Sequence, residues 1–277
     1  MLDTNTKLTV MHDANGSFTD LSFEAFDFSR DTFSVTLNAS TSYLYVGFTK
    51  PINTIYISTA TANTNANTLT IEYYNGSWTS VDNKHDATKG LTRSGYMTWD
   101  RPTDATQTAI NSTTKYWVRI RPSVTHSATS LNGIGLVFCD GIDLAYEVPE
   151  INDSNHLAGK TSHILNCVAS TNQIIQDFRN KDYSVTNPST GVKEDLTAWD
   201  LLDINQVKQA AVFLTLSKIY FNFSDSPEDK YSDKSNYYYK RYQDAIGLSR
   251  LSLDTDKDGI ADSNEVNTEF KTLRIRR

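Results

Sequence analysis

A chain of 277 residues with 33 acidic and 26 basic side chains has a formal charge of −7, which argues against general attraction to nucleic acid or an anionic membrane. The length suits about two domains, and no stretch approaches the roughly 18 apolar residues of a membrane-spanning helix. Cys139 and Cys167 are too few and too far apart for a disulfide framework and read as free thiols, and the first residues lack the apolar run of a secretory signal.

Through the first half of the chain, apolar residues alternate. In residues 42–48, Leu44, Val46 and Phe48 share one face and Tyr43 and Tyr45 the other. In residues 116–121, Tyr116, Val118 and Ile120 alternate with Trp117, Arg119 and Arg121. Residues 32–37, 52–57, 69–74, 96–99 and 136–138 follow the same period. Period two with Thr, Tyr and Val predicts strands, and Asn75-Gly76 predicts a type I′ hairpin turn. The Thr- and Asn-rich residues 59–67 read as a loop. Short strands with no helical pattern between them predict an antiparallel β-sandwich of jelly-roll type over residues 1–142.

Pro149 forbids a continuous helix through residues 141–150, and residues 143–155 read as a linker. Residues 156–250 then follow a helical period and predict a bundle. Ile164, Leu165, Val168, Ile175 and Phe178 form one stripe, and residues 187–191 form a loop. A second helix is predicted to start at Asp203, with Gln206 completing a capping box. Its run 210–216 is apolar over much of the circumference, which makes it the central helix. A third is predicted to start with Ser226 as N-cap, Pro227 in the first turn, and Glu228 and Asp229 at the positive end of the dipole. Tyr231, Tyr238, Tyr242, Ala245 and Ile246 lie along its side, and Gly247 ends or kinks it. The fold class is multidomain, all-β followed by all-α.

Residues 251–277 hold the sharpest motif. Residues 254–265 match a calcium loop: acids at positions 1, 3, 5, 9 and 12, and Gly259 at position 6. A hard cation wants about six to eight oxygens, and alternate carboxylates around a glycine turn supply them. The predicted ligands of one Ca2+ are Asp254, Asp256, Asp258, the Ile260 carbonyl, Asp262 and both oxygens of Glu265. The alternative is a solvated acidic turn. The tail that follows is basic and alternates. Lys271, Leu273, Arg274, Ile275, Arg276 and Arg277 read either as a docking strand or as a frayed, solubilising end.

Catalytic signatures are missing. His12, His85, His126, His156 and His163 show no zinc-like spacing. His156 and His163 are spaced to share a helix face, but read more simply as ordinary polar positions. No nucleophile elbow or phosphate-binding loop occurs, and nothing points to a carboxylate pair for glycoside cleavage. The chain reads as a non-enzyme. Tyr73, Tyr74, Trp78, Trp99 and Trp117 are candidates for a sugar-stacking platform, the three tryptophans foremost, against the plainer reading of core and cross-strand aromatics. The tyrosines around 237–239 point several ways, as at a subunit interface or on a solvated face.

The helical half resembles the head–tail connector (adaptor) proteins of tailed bacteriophages. The residues that carry this are Trp199 to Asp203, Val207 to Leu214 with Ile219 and Tyr220, Tyr238, Tyr242 and Ala245, and the following Leu253 to Gly259. The first half, through residues 71–78, 90–99 and 116–121, is similar to accessory β-domains of phage virion proteins. The resemblance implies a ring of about twelve copies at the virion neck, assembled in the host cytoplasm and docked under a portal protein. Other neck or tail proteins would lie beside it, and DNA would pass without sequence-specific contact. It implies that Lys271, Arg274, Arg276 and Arg277 reach the portal. A calcium-dependent carbohydrate-binding or adhesion module is the alternative.

Overall fold

Asn15 and Gly16 turn the first hairpin. Both have positive φ, 58° and 86°, as a type I′ turn requires, and they join β1 (Thr9–Ala14) to β2 (Ser17–Asp20) through the Ala14–Ser17 pair. In the computed structural model, the described residues are 7–28, 32–186, 190–227, 229–255, 265 and 268–269. They fall into two compact units, Met1–Leu136 and Val137–Arg277.

After β2 come the short helix α1 (Ser22–Phe26) and strands β3 (Phe33–Ser34), β4 (Ser42–Phe48), β5 (Thr54–Thr61), β6 (Leu69–Tyr74) and β7 (Trp78–Ser80). The first unit then continues with β8 (His85–Asp86), β9 (Gly95–Thr98), β10 (Thr108–Ile110), β11 (Thr113–Pro122) and β12 (Ser130–Gly135). One sheet runs β2-β1-β4-β11-β6-β7, with β10 on β11; the other runs β3-β12-β5-β9-β8. All pairings are antiparallel, and the long strands alternate between sheets, as in the predicted sandwich. Alternation sends Leu44, Val46, Ile71, Val118 and Ile120 of one sheet and Ile55, Ile57, Met97 and Ile134 of the other into the core.

Several local expectations are corrected. The β6–β7 turn has three residues, because Tyr74 pairs with Trp78, and only Gly76 has positive φ. It is therefore not type I′. That turn occurs instead at Asn15-Gly16 and again at Asn111-Ser112, where φ is 45° and 67°. Residues 136–138 are buried but lie beyond β12, which ends at Gly135.

The second unit opens with α2 (Gly141–Glu147), inside the stretch read as a connector. Asp140 caps it: its Oδ1 accepts from Ile142 N at 2.9 Å and Asp143 N at 3.1 Å, and Asp143 Oδ2 accepts from Asp140 N. Pro149 then starts a separate 3-10 turn. There follow α3 (Ser154–Leu157), α4 (Ile164–Arg179), a small hairpin of β13 (Ser184–Thr186) and β14 (Lys193–Asp195), α5 (Asn205–Phe223) and α6 (Lys230–Leu248). The last described pair is β15 (Arg250–Leu251) with β16 (Thr268–Glu269).

Helix α5 is buried on nearly every side, from Val207 to Tyr220, as its apolar run implies. Helix α6 buries Ser235, Tyr238, Tyr242 and Ile246, and Tyr220 stacks on Tyr238 at 5.8 Å. On α4, Leu165 leaves the predicted stripe and is exposed. Two predicted caps fail for a stated reason. The Gln206 carboxamide exchanges hydrogen bonds with Ser252 N and Oγ rather than closing a box with Asp203. Asp229, not Ser226, caps α6: its carboxylate accepts from Tyr231 and Ser232 N and also from Asp225 and Ser226 N. Those bonds, the one from Ser232 foremost, draw its pKa down to about 2. Gly247 lies within α6 and does not end it.

Candidate functional surfaces

The pleat that turns Leu44 and Val118 inward sends Tyr45, Gly47, Trp117 and Arg119 to the other face of the seven-stranded sheet. There Met11, Tyr45 and Trp117 form a second buried cluster, with Phe18, Tyr43, Trp78 and Ile110 packed against it. Trp117 meets Tyr45 edge-on at 6.3 Å. Gly47 is required beneath it, because a Cβ would come within 2.5 Å of the indole ring. The Arg119 guanidinium lies 4.5 Å from the Tyr43 ring centre and 4.4 Å from that of Trp78. Its Nε donates to Glu72 Oε2 at 2.7 Å.

The three candidate tryptophans do not share one open platform. Trp117 is 2% exposed and donates its indole N–H to Thr108 O at 3.0 Å. Trp99 is 4% exposed, belongs to the other sheet's end and donates to Ile52 O at 2.9 Å. Trp78 alone is half-buried, and Arg119 lies over its ring.

Beside Trp78, the tip of the β6–β7 hairpin carries a polar group that sequence reading passed over. The Tyr73 hydroxyl donates to Asp104 Oδ1 at 2.8 Å, and Asn75 Nδ2 donates to Asp104 Oδ2 at 2.9 Å. The Asn75 bond, then the Tyr73 bond, holds the Asp104 carboxyl below the usual carboxylate range. The same bond raises the Tyr73 phenol. Tyr74 meets Trp78 edge-on at 5.5 Å on this hairpin. An amide, a carboxylate and a phenol thus meet at the hairpin tip, with Tyr73 on the Ile71 face of the sheet and Tyr74 and Trp78 on the opposite, Arg119 face. The Asn75-Gly76 signal marks this place in the sequence, but Asp104 joins it only through folding.

In the second unit the two ends of the predicted calcium loop meet. Asp254 and Glu265 are 0% and 1% exposed, and Leu253 N donates to Glu265 O at 3.1 Å. Thr255 donates through both its N and its Oγ1 to Glu265 Oε1, the latter at 2.7 Å. Asp254 N donates to Asp200 O at 2.9 Å. The other predicted ligands, Asp256, Asp258, Ile260 and Asp262, lie outside the described residues. So do the tail positions Lys271, Leu273, Arg274, Ile275, Arg276 and Arg277.

Exposed apolar side chains are concentrated in the same unit. Among the described residues, eight of the ten exposed large hydrophobics belong to it, including Leu165 on α4, Phe221 on α5, and Tyr237 and Tyr239 on α6. Phe221 is 71% exposed. A groove of about 500 Å³ between these helices is lined by Leu214, Lys218, Phe221 and Tyr239. Lys218 Nζ donates to Gln173 Oε1 at 2.7 Å, and burial lowers its pKa. Tyr146 on α2, 86% exposed, flanks a second groove with Glu147 and Phe213.

No protein-family model matches this chain, and no curated protein matches it. Among solved structures, chitosan-binding module 1 from a chitosanase/glucanase of Paenibacillus sp. IK-5 is similar at 19% identity, over 47% of this chain and 93% of the module, with a TM-score of 0.29. CBM32-1 from a family 31 glycoside hydrolase of Clostridium perfringens is similar at 12% identity, over 48% of this chain and 96% of that one, also at 0.29. A family 89 glycoside hydrolase of Clostridium perfringens is similar at 11% identity, over 65% of this chain and 20% of the enzyme, at 0.30. At these scores the likeness establishes neither a shared fold nor a shared ligand.

Proposed function

We propose that this chain is a structural binding protein in two parts: a sandwich unit that recognises carbohydrate and a helical unit that assembles with further copies of itself. The observation that carries the assembly half is the concentration of exposed apolar side chains on the helical unit, Phe221 foremost. Exposed apolar side chains beside a groove, as Phe221 and Tyr239 are, suit interaction sites, and Tyr suits them because its ring buries while its hydroxyl stays satisfied. The finer reading follows the resemblance to connectors: a ring of about twelve copies under a portal, at the neck of a virion, with Lys271, Arg274, Arg276 and Arg277 of the tail reaching the portal. Light scattering and electron microscopy test it. A single chain at every concentration, alone and with portal protein, contradicts it.

The carbohydrate half rests on the edge made by the β6–β7 hairpin, with Tyr73, Asn75 and Asp104 gathered at its tip and Tyr74 and Trp78 on its opposite face. Sugars present hydroxyls to carboxylates and amides and apolar faces to aromatic rings, and this edge offers both. Glycan-array screening followed by tryptophan-fluorescence titration is expected to find a ligand. Its affinity should fall about tenfold in Asp104→Ala or Tyr74→Ala, as loss of a charged hydrogen bond or a ring contact implies. No ligand on a broad array, or unchanged affinity in both variants, contradicts this half.

One Ca2+ at residues 254–265 belongs to the same reading, because Asp254 and Glu265 are already gathered at the loop's two ends. Such an ion would stiffen the bend ahead of the tail. Calorimetry should show one calcium per chain, abolished by Asp258→Ala together with Glu265→Ala. Absence of binding at millimolar calcium refutes it.

A further inference from the structure

The two histidines read from sequence as ordinary polar positions line one small cavity in the second unit. His163 stands at the start of α4 and is 3% exposed. Its Nε2 is 2.8 Å from Ile151 O. A carbonyl oxygen only accepts, so Nε2 carries the proton and Nδ1 is left as a bare lone pair. That Nδ1 is buried and has no hydrogen-bond partner. His156, on α3, is held edge-on against Tyr220 at 6.3 Å and Phe223 at 6.1 Å. Its Nδ1 is also buried and without a partner. Both rings face a cavity of about 120 Å³, with Asn166, Asn222 and Lys160 also on its wall.

We propose that His156 and His163 form a binding site for one divalent transition-metal ion of the zinc, nickel or cobalt kind. An imidazole that ligates a metal characteristically donates its other ring N–H to a backbone carbonyl, which fixes its tautomer and direction. His163 and Ile151 make that arrangement. Borderline metals prefer imidazole nitrogen, whereas calcium prefers oxygen, so this site is chemically distinct from the acidic loop. The cavity has room for the remaining ligands, water or a carboxamide oxygen from Asn166 or Asn222. Lys160 works against a cation, but it is exposed and its long side chain can turn outward to water.

The test uses the full chain without a histidine tag, stripped with a chelator and then titrated with Zn2+ by calorimetry and with Co2+ by visible absorption. One site per chain is expected, undisturbed by excess calcium. Because His163→Ala also strips Ile151 of its hydrogen bond, His156→Ala is the decisive variant, its fold checked by circular dichroism. It should weaken Zn2+ binding by about tenfold or more, while Lys160→Ala should strengthen it. No saturable Zn2+ binding, equal affinity in His156→Ala, or weaker binding in Lys160→Ala overturns the proposal.

Discussion

His126 is expected to couple the stability of the sandwich to acid. It is 4% exposed, and neither ring nitrogen has a hydrogen-bond partner. Burial brings its pKa down from the ordinary 6.5 to about 4. The folded state therefore keeps the ring neutral where the unfolded chain takes up a proton. The associated stability is complete above about pH 6.5 and is lost progressively as pH falls towards 4. The shift corresponds to at most about 3 kcal/mol. Denaturant unfolding of the sandwich at pH 7, 5.5 and 4 should show this loss, and His126→Leu should flatten it. An equal slope in the variant would assign the acid sensitivity to other groups. Arg119 acts differently: it covers the outer aromatic cluster, joining Tyr43, Trp78 and Glu72 across three strands.

At the scale of elements, caps and turns decide where the chain changes direction. Asp140 starts α2, and burial raises its pKa even though two N–H bonds favour its charged form. Asp140→Ala should cost about 1 kcal/mol, read as a lower melting temperature of the second unit. No change would mean that the cap is redundant. Strand faces were legible in the sequence because the core face is the more aliphatic one, although β4 and β5 are buried on both faces, β4 through the outer aromatic cluster. Helix ends were less legible, because capping is a competition that only the fold settles. Gln206 has a capping-box position in sequence, yet Ser252, far along the chain, takes its side chain. The Asn75-Gly76 pair was legible as a turn but not as a turn type, and the turn at Asn15-Gly16 was not read from the sequence. Asn15-Gly16 closes a two-residue loop, while the Tyr74–Trp78 pairing stretches the loop at Asn75-Gly76 by one residue.

For the whole molecule, the sequence conveyed order of parts better than sites. The change from period two to a helical period marks the passage from antiparallel strands to helices. The candidate surfaces were only partly visible. Trp78, Trp99 and Trp117 share a residue type and not a place, since strand register, which the sequence does not state, puts Trp117 within an aromatic cluster, while Trp99 lies just past the end of β9 of the other sheet. The hairpin edge at Asp104 and the cavity shared by His156 and His163 arise from contacts between segments, so spacing along the chain had no means of announcing them. The exposed apolar side chains of the helical unit make self-assembly the central claim. Light scattering on purified full-length protein, beside Phe221→Asp combined with Tyr239→Asp, tests it most directly. The account predicts a particle of several chains that falls apart to single chains in the double variant with its helical content retained. A wild-type protein that stays a single chain at all concentrations and with portal protein, or a double variant that assembles unchanged, would contradict it.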